Sequence, residues 1–383
     1  MIENIKIKNF KSLVDIDLDL RNLNVLIGPN GAGKSNFLSF FQLLREGANE
    51  QLNMAINSMG GIGNVMFYGG DKKHPLIWSL EFSKLRDMQG PVYQGQIFSQ
   101  GQSSYKLEET LFDLNKPYMS STFGHISLVS LDGSIANNDD DKIKEQELVI
   151  AKIRDRFRYP ELAELRDEMA DWQIYHGFGE EALRNIRGPQ LFTPVDPFRL
   201  NPMGRNLLSV IQQLANERRY EKINEQLIDA MKAVFPDFIK LYTPTSAGGM
   251  GSLFYGSKNY EESIPALSMS DGQLRFLGVM VALLMAYIPN PPSLIAIDEP
   301  EIGMHPKMIA VFVELLQAAS QKTQIIITTH SPQLIDRMKP DDVIVTEKED
   351  GKTTLRRLDA ESLKRWLKRY TLGELWTMGK LRA

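Results

Sequence analysis

The 383-residue chain contains no cysteine. That absence excludes a disulfide framework, a cysteine-ligated zinc site and a thiol nucleophile. Long apolar runs are missing as well: the longest, 276–288, falls well short of the roughly 20 residues that a helical membrane span needs. The opening Met-Ile-Glu-Asn-Ile-Lys-Ile-Lys alternates charge with isoleucine and has no apolar leader core. Neither sign of charge dominates. The chain carries 44 Lys+Arg against 48 Asp+Glu, a net charge of −4 that neither demands nor forbids nucleic acid. Sustained heptads and internal repeats are absent, which argues against a long coiled-coil arm. What remains, 43% hydrophobic and 24% charged residues, is the composition of a soluble globular protein, expected in the cytoplasm. Length alone suggests two or three domains.

The two ends of the chain have the clearest patterns. Ile16, Leu18 and Leu20 alternate with Asp15, Asp17 and Asp19, the period of a half-buried antiparallel strand. Residues 23–27 form a short apolar strand that enters a glycine-rich turn, and 35–45 place Phe37, Leu38, Phe41 and Leu44 at helical spacing. Far downstream, 276–288 reads as a buried helix, 293–297 as an apolar strand, 307–320 as an amphipathic helix and 323–328 as a second apolar strand. Residues 343–347 and 353–358 flank Asp350-Gly351, a hairpin signal. Strands alternating with helices predict an α/β fold with a mostly parallel sheet flanked by helices and antiparallel strands at the N-terminus. Between the ends, 46–261 is mixed. Strands are expected at 76–82, 105–114 and 125–131, helices within 142–172 and 206–235, and a polar link at 137–141.

Gly28-Pro29-Asn30-Gly31-Ala32-Gly33-Lys34-Ser35 fits G-x-x-x-x-G-K-[ST] in full, after a strand and before a helix. Glycines there let successive backbone N–H groups curl around phosphate oxygens, and the helix N-terminus faces the same anion. Lys34 then supplies charge to the terminal phosphates, and Ser35 a hydroxyl ligand for Mg²⁺. Asp298 and Glu299 end the apolar strand that follows 263 residues later. Strand tips of a buried parallel sheet emerge at the ligand-binding edge. Asp298 is the candidate Mg²⁺ ligand, and Glu299 the candidate base for an attacking water. Taken singly, either motif has a bland reading, a glycine turn or a solvated acidic turn; together they complete one chemistry.

Further motifs resemble those of ABC-type P-loop ATPases. Leu267-Ser268-Met269-Ser270-Asp271-Gly272-Gln273, opening an apolar helix, resembles their signature. Glu299-Pro300-Glu301-Ile302-Gly303-Met304-His305-Pro306 is similar to the segment after their acidic pair, and Thr328-Thr329-His330-Ser331-Pro332 to their switch-histidine motif. Asn9-Phe10-Lys11-Ser12 is similar to the start of the SMC and RecF branch, and Trp172-Gln173-Ile174-Tyr175-His176 with the 184–187 stretch resembles compact RecF- and OLD-like ATPases, including standalone AAA-type ATPases of bacterial defence operons. The resemblance implies an ABC-type head, 1–45 plus 262–350, interrupted by an inserted α+β lobe, 46–261, and followed by a basic C-terminal hairpin strand and helix, 351–383.

It also implies ATP and Mg²⁺ as cofactors. Lys34, Glu299 and His330 would act catalytically. Lys11, Ser12, Asn30, Gly31, Gly33, Lys34, Ser35 and Asn36 would hold nucleotide in cis. Ser270, Gly272 and Gln273 would reach the nucleotide of a second subunit, in an ATP-sandwich homodimer or a higher assembly. Ser35 and Asp298 would hold the metal. Ser270-Asp271-Gly272 by itself also reads as a helix cap, and His330 as a structural histidine. Asp271 stands where the transporter branch has glycine, and the lid glutamine is unassigned among Gln42, Gln51, Gln94, Gln96 and Gln100.

The implied function is an ATP-driven switch that controls an operon-encoded effector, a nuclease in antiphage defence, with no membrane partner. A DNA-repair ATPase that binds DNA directly is the alternative, and a transporter motor is disfavoured. Arg184, Arg187, Arg199 and Arg205 are candidates to reach phosphate, against solvated or paired arginines. From Gly351 to Ala383 there are nine Lys+Arg and three Asp+Glu. Leu363, Trp366, Leu367 and Tyr370 suggest one helical face there and Lys364, Arg365, Lys368 and Arg369 another, either a docking helix for nucleic acid or an acidic partner, or a packed terminal helix.

Overall fold

Period-two alternation builds the largest sheet of the protein, seen in a computed structural model that describes every residue except 70–73, 102–103, 115, 139–145, 194–197, 247 and 382–383. Ile2–Phe10 and Leu13–Asp19 pair antiparallel, with Ile5 opposite Leu18 and Ile7 opposite Ile16. Their apolar residues face the core and their charged ones water, as in Lys6–Asp17 at 2.9 Å. Leu76–Phe82 joins the other edge of Ile2–Phe10. Pro91–Gln100, Ser104–Asp113, Lys116–Thr122, His125–Val129 and Ile135–Asn138 continue the antiparallel sheet to eight strands. The expected strands at 76–82, 105–114 and 125–131 are thus present. Pro91–Gln100 was not read from sequence, because Gln94, Gly95 and Gln96 dilute its pattern. Gly95 is there for space: a Cβ would lie 2.0 Å from the buried Trp78 ring. Of the 137–141 link, Asn137 and Asn138 belong to a strand; the remainder lies outside the described residues.

These strands belong to the first of two units, Met1–Trp172 with Asp341–Asp359. In the same unit Leu23–Ile27 pairs parallel with Val343–Glu349, which turns back at Asp350-Gly351 into Lys352–Arg357. Asp350 and Gly351 have φ of 48° and 80°, as a tight hairpin turn of this sequence requires. Helix Lys34–Ala48 buries Phe37, Phe40 and Phe41, with Phe41 edge-on to Trp172 at 5.7 Å.

The second unit holds Gln173–Pro340 and Ala360–Leu381. Gln173–Tyr175, Leu294–Asp298 and Gln324–Thr329 form parallel neighbours, with Tyr175 opposite Ile297 and Asp298 opposite Thr328. Helix Asp271–Leu284 is apolar on nearly every side and is buried accordingly. Pro306–Ala319 shows the amphipathic pattern expected, and Leu207–Asn216 and Glu221–Val234 supply the helical region foreseen at 206–235. The α/β fold class expected from sequence is the observed one.

The basic terminal segment is divided into short helical pieces. Ala360–Leu363 makes one helical turn, 364–370 are turns, and a new helix starts at Leu372. Thr371 and Glu374 form a reciprocal capping box, which holds Thr371 extended and starts the helix at Leu372. Leu363 is buried and Trp366 is 44% exposed, with its ring 6.2 Å from that of Tyr370. Among the described residues no helix is long and apolar enough to cross a membrane.

Candidate functional site

In the first unit, the buried strand Leu23–Ile27 delivers the glycine loop at its C-terminal end. Gly31 and Gly33 adopt φ of 76° and 112°. Gly33 is also required by space: a Cβ would lie 2.1 Å from Thr353 Oγ1 and 3.0 Å from Ser12 Oγ. Helix Lys34–Ala48 begins without a side-chain cap, so its first-turn N–H groups are available to an anion. Lys34 is buried, and its ammonium donates to the carbonyls of Gly28 at 2.9 Å and Pro29 at 3.3 Å. Asn30, Gly31 and Ser35 are exposed.

Behind the loop lies a chain of small polar groups. Asn36 Nδ2 donates to Ser12 Oγ at 2.7 Å, and Thr353 Oγ1 is 2.7 Å from both Ser12 Oγ and the Ala32 carbonyl. One hydroxyl proton cannot serve both. It goes to the carbonyl, which can only accept, and Ser12 donates to Thr353. The Thr353 N–H also donates to Ser12 O at 2.8 Å. Thr353 is a site residue that sequence reasoning missed, since nothing local marks a threonine 341 residues from Ser12. Lys11 sits at φ 46° with its N–H donating to Val65 O at 2.8 Å, and burial pulls its side-chain pKa below the ordinary lysine value.

The acidic pair occupies a strand tip of the second unit. Asp298 Oδ1 accepts from the Thr328 hydroxyl. Glu299 turns to φ 46°, and its N–H donates to Thr328 Oγ1 at 3.0 Å. That turn brings Glu299 Oε1 to 3.0 Å from His330 Nε2, with both side chains about a third exposed (30% each). Glu301 joins them: its Oε1 accepts from the Thr329 hydroxyl at 2.5 Å and the His330 N–H at 3.1 Å. Burial raises the Glu301 pKa, and its Oε2 is buried without a hydrogen-bond partner among the described residues. Sequence reasoning placed Glu301 only within a motif and gave it no role.

Ser270 caps helix Asp271–Leu284 in a capping box with Gln273: Gln273 Oε1 accepts from the Ser270 N–H at 2.8 Å. The cap reading of Ser270 is thus the observed geometry. Gly272 packs so closely that a Cβ would lie 2.4 Å from the Gly303 carbonyl. Asp271 accepts from Arg187 Nη2 at 2.6 Å, and the same nitrogen donates to Met269 O at 2.9 Å. The departure at Asp271 thus has a local partner. Of the four arginines considered for phosphate, Arg187 is engaged here and Arg199 donates to the carbonyls of Phe198 and Asn290.

Ser35 has an exposed hydroxyl and Asp298 a carboxylate, oxygen donors of the kind that a hard divalent cation takes. None of the five candidate glutamines stands at a parallel strand tip. Gln42 lies within helix Lys34–Ala48, Gln51 precedes Leu52–Ser58, and Gln94, Gln96 and Gln100 lie on Pro91–Gln100.

Comparison with known proteins agrees with this chemistry. A protein-family model described as "AAA domain, putative AbiEii toxin, Type IV TA system" matches residues 23–336. An "ATP/GTP phosphatase" of Helicobacter pylori is 20% identical over 377 residues, covering 91% of this chain and 90% of that protein. An "OLD nuclease" of Thermus scotoductus is 46% identical over 44 residues, 12% of this chain and 8% of that one. Among solved structures, an SMC head bound to the C-winged helix domain of ScpA superposes with a TM-score of 0.57 at 14% identity, covering 94% of this chain and 99% of that one. That likeness concerns the fold. The chain belongs to the AAA-domain family whose model it matches, and is an ABC-type P-loop ATPase of the SMC, RecF and OLD-like branch.

Proposed function

We infer that the protein hydrolyses ATP to ADP and phosphate with Mg²⁺, in the cytoplasm, and uses the cycle as a switch. The observation that carries this is the Asp298–Glu299–His330 arrangement, a carboxylate pair at a parallel strand tip with a histidine nitrogen 3.0 Å from the second carboxylate. Lys34, the loop N–H groups and helix Lys34–Ala48 hold the phosphates; Asn30, Gly31, Gly33 and Asn36 shape the loop, and Ser12 braces it. Lys11 adds a cation nearby in sequence. Ser35 and Asp298 hold Mg²⁺, which offsets charge on the phosphates. Glu299 accepts a proton from the attacking water, and His330 keeps that carboxylate oriented.

Residues 1–45 with 262–350 act as the ATPase head, 46–261 as an inserted lobe and 351–383 as a terminal appendage. Ser270, Gly272 and Gln273 serve a second copy of the chain, so that ATP joins a homodimer. The N-terminus of a 14-residue helix, held against Gly303, supports this: its capping box satisfies the Ser270 and Gln273 N–H groups and leaves the anion to those of Asp271 and Gly272. The output is control of a separate effector in defence, in line with the toxin–antitoxin wording of the family and the short match to an OLD nuclease. The matched stretch is 8% of that nuclease, so its own activity is not carried over.

Phosphate release with Mg²⁺ or with EDTA tests the reading. Lys34→Ala should lose ATP binding. Glu299→Gln should bind ATP with turnover about 10²–10⁴-fold lower. Undiminished turnover by Glu299→Gln would overturn the assignment.

A further inference from the structure

Two of the chain's five histidines follow strands that flank the acidic pair. On one side is His330, already described. On the other, Gln173–Tyr175 runs parallel to Leu294–Asp298 with Tyr175 opposite Ile297, which brings the next residue, His176, alongside Asp298. Gly177 follows at φ 72°, where a Cβ would lie in ordinary contact, 3.6 Å, with the Asp298 carbonyl oxygen. The chain turns here beside the acidic strand tip and leaves the His176 side chain exposed. A cleft of about 240 Å³ opens at this point, and His176, Phe178, Arg275, Asp298, Glu299 and Ile302 are among its lining. Phe178 is buried and Ile302 half exposed, so the lining mixes apolar side chains with the histidine, arginine and carboxylates. No glutamine lines the cleft among the described residues.

An imidazole offers one donor and one acceptor nitrogen, which suits it to orient a water molecule between fixed carboxylates. We propose that His176 is a further positioning residue of the hydrolytic centre. Its ring hydrogen-bonds a water in the cleft beside Asp298, opposite the side that His330 holds, and keeps that water aligned with Glu299. This inference rests on the reading of Asp298 and Glu299 as the hydrolytic pair. A misplaced water of this kind costs up to about a hundredfold in rate.

The test uses the full chain labelled with ¹³C at histidine Cε1, with Mn²⁺ and a non-hydrolysable ATP analogue as probes. His176→Gln and His330→Gln identify the two resonances by their loss. Both should broaden with Mn²⁺ and the analogue and stay sharp with Mg²⁺. Broadening of His330 alone overturns the proposal and leaves the hydrolytic pair intact; broadening of neither removes the pair's reading as well. In turnover, His176→Ala should lower kcat about 10- to 100-fold with the Kd for the analogue unchanged, and His176→Gln should recover most of the loss. Wild-type kcat in His176→Ala, alongside an inactive Glu299→Gln, would overturn the role of His176 alone.

Discussion

Thr353→Val removes one hydroxyl from the buried chain behind the phosphate loop and keeps nearly the same shape. Thr353 is 3% exposed and Ser12 6%, so water does not readily replace what is lost. The Ala32 carbonyl loses a donor at 2.7 Å and the Ser12 hydroxyl an acceptor at 2.7 Å. A buried polar group left unmatched costs about 1–3 kcal/mol. Ala32 lies inside the loop, so the cost falls on the loop conformation that cradles phosphate. If all of it appears in nucleotide affinity, Kd rises about 5- to 150-fold. If part falls on folding, the melting temperature drops and Kd rises less. Fluorescent-ATP titration and thermal unfolding of the same sample separate the two. Thr353→Ser keeps the hydroxyl and should stay close to wild type in both. Wild-type affinity and stability in Thr353→Val, or equal damage in Thr353→Ser, would refute the bracing argument.

Gly272→Ala should fold, yet lose turnover, because its Cβ would have to displace the Gly303 carbonyl from 2.4 Å; normal kcat would show that this contact is slack. Glu109 is buried in the large sheet, accepting from the Tyr93 hydroxyl at 2.7 Å and the Val149 N–H at 2.5 Å, and burial raises its pKa from 4.5 to about 7. A raised folded pKa means that the stability it contributes is fully present below pH 4.5 and fades as pH rises through about 7, by on the order of 3 kcal/mol. Urea unfolding from pH 4.5 to 8 should show this decline in the wild type and a flatter profile in Glu109→Gln; parallel profiles would contradict it. Arg187→Ala should change global stability by no more than about 1 kcal/mol, because the Asp271 carboxylate it pairs with is 62% exposed.

Much of the site was legible because its chemistry is local. Gly28–Ser35 must have its glycines where the backbone meets phosphate, and an apolar run ending in Asp298-Glu299 announces a strand tip. The parts that were not legible depend on pairing across the chain. Thr353 braces Ala32 only because the terminal hairpin brings it there, and Glu301 meets Thr329 only through adjacent strand ends. His176 stood out only as the end of a stretch with a family resemblance, and its place comes from the three-residue strand before it, too short to carry a period. Gly95 imitates a loop while making room for Trp78. At 360–370 the helical period of the sequence survives as a short helix and turns, and the capping box at Thr371 starts a separate helix at Leu372.

Nucleotide-driven association is the central claim, and light scattering on Glu299→Gln reads it directly. With ATP and Mg²⁺ the scattering mass should double and stay doubled, and it should return to the monomer value when Ser270 is also changed to Arg, which blocks the anion site at the head of helix Asp271–Leu284. An ATP-bound Glu299→Gln protein that remains monomeric across micromolar concentrations would contradict the account.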